Sequence, residues 1–457
     1  MSQESLWAGD GLGFNAKVQR AAEIRKGKKI GFYLWLFAES LLLLGLTVSD
    51  ENCMNVVTGD CPHVLPRWKR QMNRRNACVL LLVLMGTQAW DAGAGFVSAA
   101  DVDNPLELTL PSEFYAVVGE KTTIGFDNIV LTKTPEEYRF DVVCNIGRAG
   151  KTNWAVTPTA EDVGKHTLRV NVSDASGKTL GSAKTTLRVV AADAGVGRTI
   201  RLLIVGDSLT HATAYPNEIA RLLSKRGNPA WKMLGTHKPA RAAKGVVHEG
   251  YGGWTWQRFV TKYEPNPDGT YRKRSSPFVF LGDDGKPRLD VARYFKEECG
   301  GQRPDYVLFL LGINDCFGAN PEQPDDRIAR MLKQADILLA EFRRAAPKAE
   351  LGICLTTPPN SRQAAFEANY GDRYSRWGWK QIQHRLVQME IKHFVRQQDE
   401  RMFVVPTEMN LDPTAGYPPK NGVHPNTAGY QQLGGSIYAW LKHRLDVADK
   451  GLKRSAK

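Results

Sequence analysis

From residue 199 onward, short apolar runs alternate with segments of helical periodicity, and this rhythm constrains the fold of the 457-residue chain most strongly. The apolar, strand-like runs lie at residues 201–205, 246–249, 306–311, 350–355 and 402–406. The helical segments lie at residues 217–226, 325–344, 379–398 and 427–445. Strands that are separated by helices pair in parallel, and the helices cover both faces of the sheet. The sequence therefore predicts an α/β domain with a parallel sheet over residues 199–445.

Residues 101–195 have a different pattern, with short alternating runs at a spacing of roughly ten residues, which is typical of a small antiparallel β-sandwich. The runs lie at residues 106–110, 122–126, 138–143, 167–172 and 185–190. Residues 163–170 resemble immunoglobulin-like domains of secreted bacterial proteins. We expect a rigid spacer that packs against the α/β domain, with Trp154 in its core. The alternative is a glycan-binding module.

A secretory signal pattern begins at Met72. A basic start, Met72-Asn73-Arg74-Arg75, precedes an apolar stretch at 77–85 and a small-residue cleavage site at 97–100. We therefore expect residues 72–100 to be a signal peptide and the mature chain to be secreted or periplasmic.

The residues before Met72 do not fit this signal. The simplest explanation is that translation starts at Met72, so that residues 1–71 are a non-native extension. The alternative is a signal-anchor helix over the apolar stretch at 30–48. If the apolar stretches at 30–48 and 77–85 both spanned a membrane, the link between them would be translocated. That link is rich in lysine and arginine, which prefer the cytoplasmic side.

Charge and cysteine usage narrow the function classes. The formal net charge is +13 but is dispersed, apart from a short basic tail at 446–457, so we expect no nucleic-acid partner.

Seven cysteines occur without a CxxC pair, and we expect buried free thiols in the exported part. No phosphate-binding loop, dinucleotide fingerprint or metal-ligand spacing is present, so the sequence calls for no cofactor and no metal. Nothing in it implies a stable protein partner.

Ser208 is the strongest candidate for a reactive residue. It lies in Gly206-Asp207-Ser208-Leu209, directly after the first predicted strand of the α/β domain. Open α/β folds place their sites at the carboxyl ends of strands. Two further runs follow in the chain: Gly312-Ile313-Asn314-Asp315 after the strand at 306–311, and Val423-His424-Pro425 near the C-terminus.

With the glycine turn Gly250-Tyr251-Gly252-Gly253, these runs resemble the four sequence blocks of the GDSL, or SGNH, hydrolase superfamily over residues 199–445. The resemblance implies a three-layer α/β/α, flavodoxin-like fold. It implies that Ser208 is the nucleophile and His424 its base. It also implies an oxyanion hole formed by the Ser208 amide, the Gly253 amide and the Asn314 side chain. Gly250 and Gly252 of the same turn are the alternatives to Gly253.

These residue types suit acyl transfer. A serine hydroxyl needs an adjacent base to become nucleophilic. Donors aimed at the developing oxyanion are worth about 3–4 kcal/mol each. Glycine at position 253 lets the backbone approach the substrate closely.

The chain departs from the family at Asn421, where the family has an aspartate three residues before the histidine. Asparagine can accept a hydrogen bond from the ring but offers no negative charge to the imidazolium. Three hypotheses follow: Asn421 and backbone carbonyls orient His424, a nearby carboxylate (Asp412 or Glu408) replaces the aspartate, or catalysis has been lost. The positional match of Asn421 favours the first.

The resemblance and the signal pattern together predict a secreted serine esterase that removes acyl groups from small esters. Export, the predicted β-sandwich and the abundant loop aromatic residues favour acetyl groups on a carbohydrate as the substrate. These loop aromatic residues are Trp254, Trp256, Tyr370, Tyr374, Trp377 and Trp379. The alternatives are a lipase or thioesterase that acts on longer acyl chains, and a catalytically dead glycan-binding protein.

Overall fold

A computed structural model of the chain describes residues 106–264, 274–371, 373–397 and 399–455. The predicted extension, signal peptide and signal anchor lie outside the described residues. Within the described part of the chain, no helix is both long and apolar enough to cross a membrane. The β-module (residues 106–190) and the α/β domain (residues 199–455) belong to one compact unit, Asp103–Lys457.

The β-module consists of two small sheets. The strands are β1 (Glu113–Val117), β2 (Thr122–Gly125), β3 (Arg139–Val143), β4 (Arg148–Ala149), β5 (Asn153–Val156), β6 (Gly164–Ser173) and β7 (Thr179–Val190), and a short helix α1 (Phe126–Ile129) follows β2. One sheet has the order β1-β7-β6-β3 and the other the order β2-β5-β4. One pair departs from the antiparallel expectation, because β1 pairs with β7 in parallel. The predicted strand at 106–110 forms only an isolated bridge, Leu108 to Val130.

Both sheets of the module share one apolar core. Leu168, Val170 and Val172 alternate with exposed or half-buried residues along β6, as the two-residue period of a strand requires. Trp154 is 1% exposed within this core, which confirms the sequence prediction and excludes its ring as a sugar platform.

The α/β domain is built on a parallel sheet. Its strands are β8 (Thr199–Gly206), β9 (Ala230–Leu234), β10 (Glu249–Gly250), β13 (Tyr306–Leu310), β14 (Glu350–Cys354) and β15 (Met402–Val405). The order is β10-β8-β13-β14-β15, and β9 also pairs with β8. Every one of these pairings is parallel. Because β8 and β13 lie in the middle, their residues are buried almost without interruption, as in a sheet covered on both faces.

Helices connect the strands, as the sequence rhythm predicts. They are α2 (Ser208–His211), α3 (Ala214–Leu223), α4 (Trp256–Thr261), α5 (Val291–Glu297), α6 (Ile313–Cys316), α7 (Asp325–Ala345), α8 (Gln363–Tyr370), α9 (Arg376–Arg396), α10 (Thr407–Asn410) and α11 (Thr427–Ser455). A hairpin of β11 (Val279–Leu281) and β12 (Pro287–Leu289) precedes α5. The last helix, which the sequence predicts to end at 445, continues through most of the basic tail to Ser455.

The β-module is anchored to the α/β domain by buried polar contacts. The Lys380 ammonium on α9 pairs with the Asp127 carboxylate, and its side chain is only 3% exposed. The Asn128 amide donates to the carbonyls of Glu408 and Leu411 at 2.7 and 2.9 Å. Met409, from the α/β domain, is buried in the module's core. The module therefore touches the segment that leads towards His424.

Candidate active site

Ser208 is placed by the sharp transition from β8 into α2. The Asp207 carboxylate caps this short helix by accepting a hydrogen bond from the Leu209 amide at 2.9 Å. Gly250, on the neighbouring strand β10, allows this packing because a Cβ there would lie 2.4 Å from Thr210. The Ser208 amide begins the helix and has no intrahelical acceptor. The serine hydroxyl, half-buried, thus lies at the carboxyl end of a central strand.

His424 lies against Ser208, although 216 residues separate them in the chain. The distance from Ser208 Oγ to His424 Nε2 is 2.8 Å. On the other side of the ring, His424 Nδ1 is 3.2 Å from Asn421 Oδ1. Serine, histidine and asparagine therefore form a continuous hydrogen-bonded row.

The hydrogen-bond network fixes which atoms of this row carry protons. Asn421 Oδ1 also accepts the backbone amides of Val423 and His424 at 3.1 and 2.9 Å, so the oxygen and not the amide nitrogen faces the ring. His424 must then carry its proton on Nδ1, which leaves the Nε2 lone pair for the Ser208 hydroxyl. This is the tautomer that a general base needs.

Of the two carboxylates that could replace the missing aspartate, Asp412 has other partners and Glu408 is buried beneath the β-module. Asp412 Oδ1 accepts the backbone amides of Thr414 and Ala415, each at 2.8 Å, and so caps the turn that follows α10. Glu408 is 1% exposed on α10, beneath the β-module, and its Oε2 has no hydrogen-bond partner. Among the described contacts of His424, neither carboxylate appears.

Asn314 lies at the start of α6, after β13. Its amide nitrogen donates to Asp207 Oδ2 at 3.2 Å and to the Trp254 carbonyl at 3.0 Å. Both amide hydrogens are thus engaged in the free protein, and an oxyanion would have to displace one of these acceptors.

Gly253 precedes Trp254 in an exposed turn, with φ +74°, in the left-handed region that favours glycine. A Cβ there would meet only the Arg258 guanidinium, at 3.8 Å. The requirement for glycine at this position is conformational rather than steric.

Burial shapes the electrostatics of the site. It lowers the pKa of His424 below its ordinary 6.5, so the ring is neutral at pH 7 and able to accept a proton. Burial also raises the pKa of Asp207 to about 7 and that of Asp315, on the adjoining α6, to about 7. Neither carboxyl faces the histidine, so the imidazolium would find no carboxylate partner in this row.

Sequence reasoning missed how three histidines come together beside the site. His211 lies one turn after Ser208 on α2, and its Nδ1 is 3.0 Å from His237 Nε2. His248 packs edge-on against His237 and accepts the Gly250 amide at its Nδ1, 3.0 Å away. The positions of His211, three residues after Ser208, and of His248, beside the glycine turn, indicate from the sequence that both could line the pocket, whereas His237 has no such signal. No described group of histidine, cysteine and carboxylate side chains has the arrangement of a metal site.

Most of the loop aromatic residues belong to the core rather than to an exposed surface. Trp254, Trp256 and Trp379 are at most 1% exposed. Tyr370 is the exception at this site, because it is half-buried and its hydroxyl lies 3.5 Å from Asn421 Oδ1.

The family model for GDSL-like lipases and acylhydrolases matches residues 204–432, which include Ser208, Gly253, Asn314 and His424. The chain belongs to this family. It is therefore a carboxylic ester hydrolase with the α/β fold that the sequence predicts. The comparison with curated proteins gives no match.

Among solved structures, the chain is similar to several carbohydrate esterases. A family 3 carbohydrate esterase from Talaromyces cellulolyticus has 17% identity and a TM-score of 0.34, over 54% of this chain and 98% of that one. A family 3 enzyme from Clostridium thermocellum has 16% identity and a TM-score of 0.36, over 55% and 99%. A family 2 enzyme from Clostridium thermocellum, in complex with cellohexaose, has 17% identity and a TM-score of 0.29, over 72% and 94%.

Proposed function

We propose that this acylhydrolase works through a covalent acyl-enzyme on Ser208. The observation that carries the proposal is the 2.8 Å contact between Ser208 Oγ and His424 Nε2, with the ring in the tautomer that accepts a proton. Ser208 Oγ attacks the acyl carbonyl carbon while His424 takes the hydroxyl proton. The tetrahedral intermediate then expels the alcohol, which leaves with that proton. In the second half-reaction His424 takes a proton from water while the water oxygen attacks the acyl carbonyl carbon. The bond from Ser208 Oγ to that carbon then breaks, the carboxylic acid leaves, and His424 returns the proton to Ser208 Oγ.

The oxyanion formed in each half-reaction needs donors. The Ser208 amide, the Gly253 amide and the Asn314 side chain are the groups that we assign to this role. Asn314 can release its bond to the neutral Trp254 carbonyl, because a charged oxygen is the stronger acceptor. Such donors act where charge develops and accelerate the chemical step itself.

For the substrate, we propose short acyl groups, acetyl above all, on a carbohydrate. The half-buried Tyr370 ring beside Asn421 offers an apolar face next to polar groups, a combination that suits sugar rings. Lipase or thioesterase activity on longer chains is the second candidate within the family.

We also propose that the enzyme is exported and acts in the periplasm or outside the cell, because of the signal pattern that begins at Met72. N-terminal sequencing of the protein from the native cell tests this. A mature chain that begins near residue 100 supports export with cleavage, whereas a chain that retains residues 30–48 supports a membrane anchor.

The activity test compares p-nitrophenyl esters from C2 to C12, followed by acetate release from a panel of acetylated polysaccharides. We expect the highest kcat/KM at C2, release of acetate, and no activity in Ser208→Ala with its circular dichroism unchanged. A maximum at C8 or above would favour a lipase. A folded wild type that hydrolyses no ester but binds glycans would reject the enzymatic proposal.

A further inference from the structure

The residue that holds Asn421 in place lies on a different part of the chain. Asn360 follows β14 in the segment 355–362 and is 0% exposed. Its side-chain amide donates to the Asn421 backbone carbonyl at 3.0 Å and to the Pro418 carbonyl at 2.9 Å. Its backbone amide donates to the Gly422 carbonyl at 2.9 Å.

Asn360 is itself rigidly held. Its Oδ1 accepts the backbone amide of Arg362 at 3.0 Å, so the orientation of the side-chain amide is set by the network. Both hydrogens of that amide are used on the loop that carries His424. Neighbouring bonds join the same two segments: the Ser361 amide donates to the Pro413 carbonyl, and the Tyr417 hydroxyl donates to the Pro358 carbonyl.

The absence of a carboxylate makes this anchoring consequential. A negatively charged partner would attract the imidazolium over a range of geometries, whereas a neutral amide oxygen contributes only a directional hydrogen bond. Asn421 Oδ1 therefore has to be aimed at His424 Nδ1 by its own backbone. That backbone is fixed on its carbonyl side by Asn360.

We propose that Asn360 is a positioning residue for the Ser208–His424 pair and that it acts through Asn421. This inference rests on the proposed acyl-enzyme function. Asn360 touches neither His424 nor Ser208 in the described contacts, so its effect on the reaction passes through the peptide between Asn421 and Gly422.

A double-mutant cycle tests the proposal, with Asn360→Ala, Asn421→Ala and the double variant in the full-length protein. Two rates are measured: kcat on p-nitrophenyl acetate, and labelling of Ser208 by a fluorophosphonate, which requires no knowledge of the natural substrate. We expect Asn360→Ala to lower both the kcat and the labelling rate by about 10- to 100-fold, with KM nearly unchanged. Loss of the residues that orient a metal-bound histidine has an effect of this size. In the Asn421→Ala background the same change should have little further effect, because coupled residues are not additive.

Asn128→Ala is the matched control. Asn128 is also a buried asparagine whose amide caps carbonyls of the same region, at Glu408, Met409 and Leu411, but it does not contact Asn421. The Asn128→Ala variant should lose stability as Asn360→Ala does. Its kcat should stay within about twofold of the wild-type value, since distant sites act independently. If Asn360→Ala does not fold, Asn360→Ser, with a smaller loss of volume, takes its place in the cycle.

The two proposals fail in different ways. A wild type whose Ser208 neither labels nor turns over ester overturns the acyl-enzyme and this inference together. The role of Asn360 alone is overturned if the wild type labels normally and the folded Asn360 variants react at the wild-type rate. It is also overturned if the effects of the Asn360 substitution simply add to those of Asn421→Ala.

Discussion

At the scale of single residues, the unusual feature is a neutral amide where the family has a carboxylate. Asn421 Oδ1 is 3.2 Å from His424 Nδ1 and fixes the tautomer of the ring. What it cannot supply is charge for the imidazolium that the proposed attack of Ser208 would form. In a serine protease the corresponding exchange of aspartate for asparagine lowers kcat by about 10⁴, chiefly through the wrong tautomer. Here the backbone amides of residues 423 and 424 bind Oδ1, which keeps the oxygen and not the amide nitrogen of Asn421 towards the ring.

The first prediction concerns Asn421→Asp and Asn421→Ala. Aspartate keeps the geometry and adds charge beside the imidazolium, so kcat should hold or rise. Alanine should lose activity moderately, because the ring loses its acceptor but Ser208 and the oxyanion donors remain. Steady-state kinetics on both variants, with folding checked by circular dichroism, gives the answer. A severe loss in Asn421→Asp would reject the role assigned to Asn421.

The second prediction concerns pH. Because burial lowers the pKa of His424, the neutral base persists below pH 6.5, and the acid limb of kcat/KM should have its midpoint below that value. In Asn421→Asp the new carboxylate favours the imidazolium, so the midpoint should move to higher pH. A limb that stays in place in this variant would show that residue 421 does not face the ring in solution.

At the scale of secondary-structure elements, α10 and the turn after it determine which groups reach His424. Glu408 points under the β-module and Asp412 caps its own turn, so both are structural in this arrangement. Burial raises the pKa of Glu408 to about 8 and that of its neighbour Glu390 to about 8. At pH 7 the folded protein therefore holds these protons, whereas the unfolded chain releases them.

The third prediction follows for Glu408→Gln and Asp412→Asn. Both variants should keep kcat near the wild-type value, since neither carboxylate orients the histidine. The raised pKa of Glu408 means that its contribution to stability falls as pH rises from about 4.5 to about 8 and then levels off. The stability of Glu408→Gln relative to wild type should therefore increase over the same window, as denaturant unfolding at pH 5, 7 and 9 would show. A loss of activity within the ~10⁴ scale of a missing triad carboxylate would instead identify the orienting acid.

The elements also show what the sequence could and could not reveal. The turn from β8 to Ser208 was predictable, because an apolar run followed by a helix-capping aspartate is a local pattern. The Asn421–His424 pair was likewise local, at a spacing of three residues. Strand β9 was missed because Ala230–Leu234 is short and contains a lysine. The bonds from Asn360 to Asn421 join segments that no short pattern connects.

At the scale of the whole molecule, the β-module is part of the structure that supports the α/β domain. Met409 fills the module's core, and Asn128 caps carbonyls of residues 408–411. Asp127 is the buried partner of Lys380 and also pairs with Arg376 at 3.2 Å. None of these contacts could be read from the sequence, because the partners lie far apart in the chain; Asp127 and Arg376, for example, are 249 residues apart.

The fourth prediction concerns this contact between module and domain. Asp127→Ala leaves the Lys380 ammonium buried without its carboxylate partner, which should lower the free energy of unfolding by about 3–5 kcal/mol. Adding Lys380→Met should recover much of the loss, since it removes the uncompensated charge and keeps the volume. Denaturant unfolding of the two variants tests this. Equal stability of Asp127→Ala and wild type would mean that the pair is not buried in solution.

Ser208 as the nucleophile and His424 as its base are the central claim. Mass spectrometry after treatment with a fluorophosphonate measures both at once. We predict stoichiometric modification of Ser208 in the wild type and no modification in folded Ser208→Ala. In His424→Ala the rate of modification should fall by several orders of magnitude, as expected for the loss of a catalytic base. Modification of a different serine, or labelling of Ser208 at an unchanged rate without His424, would contradict the account.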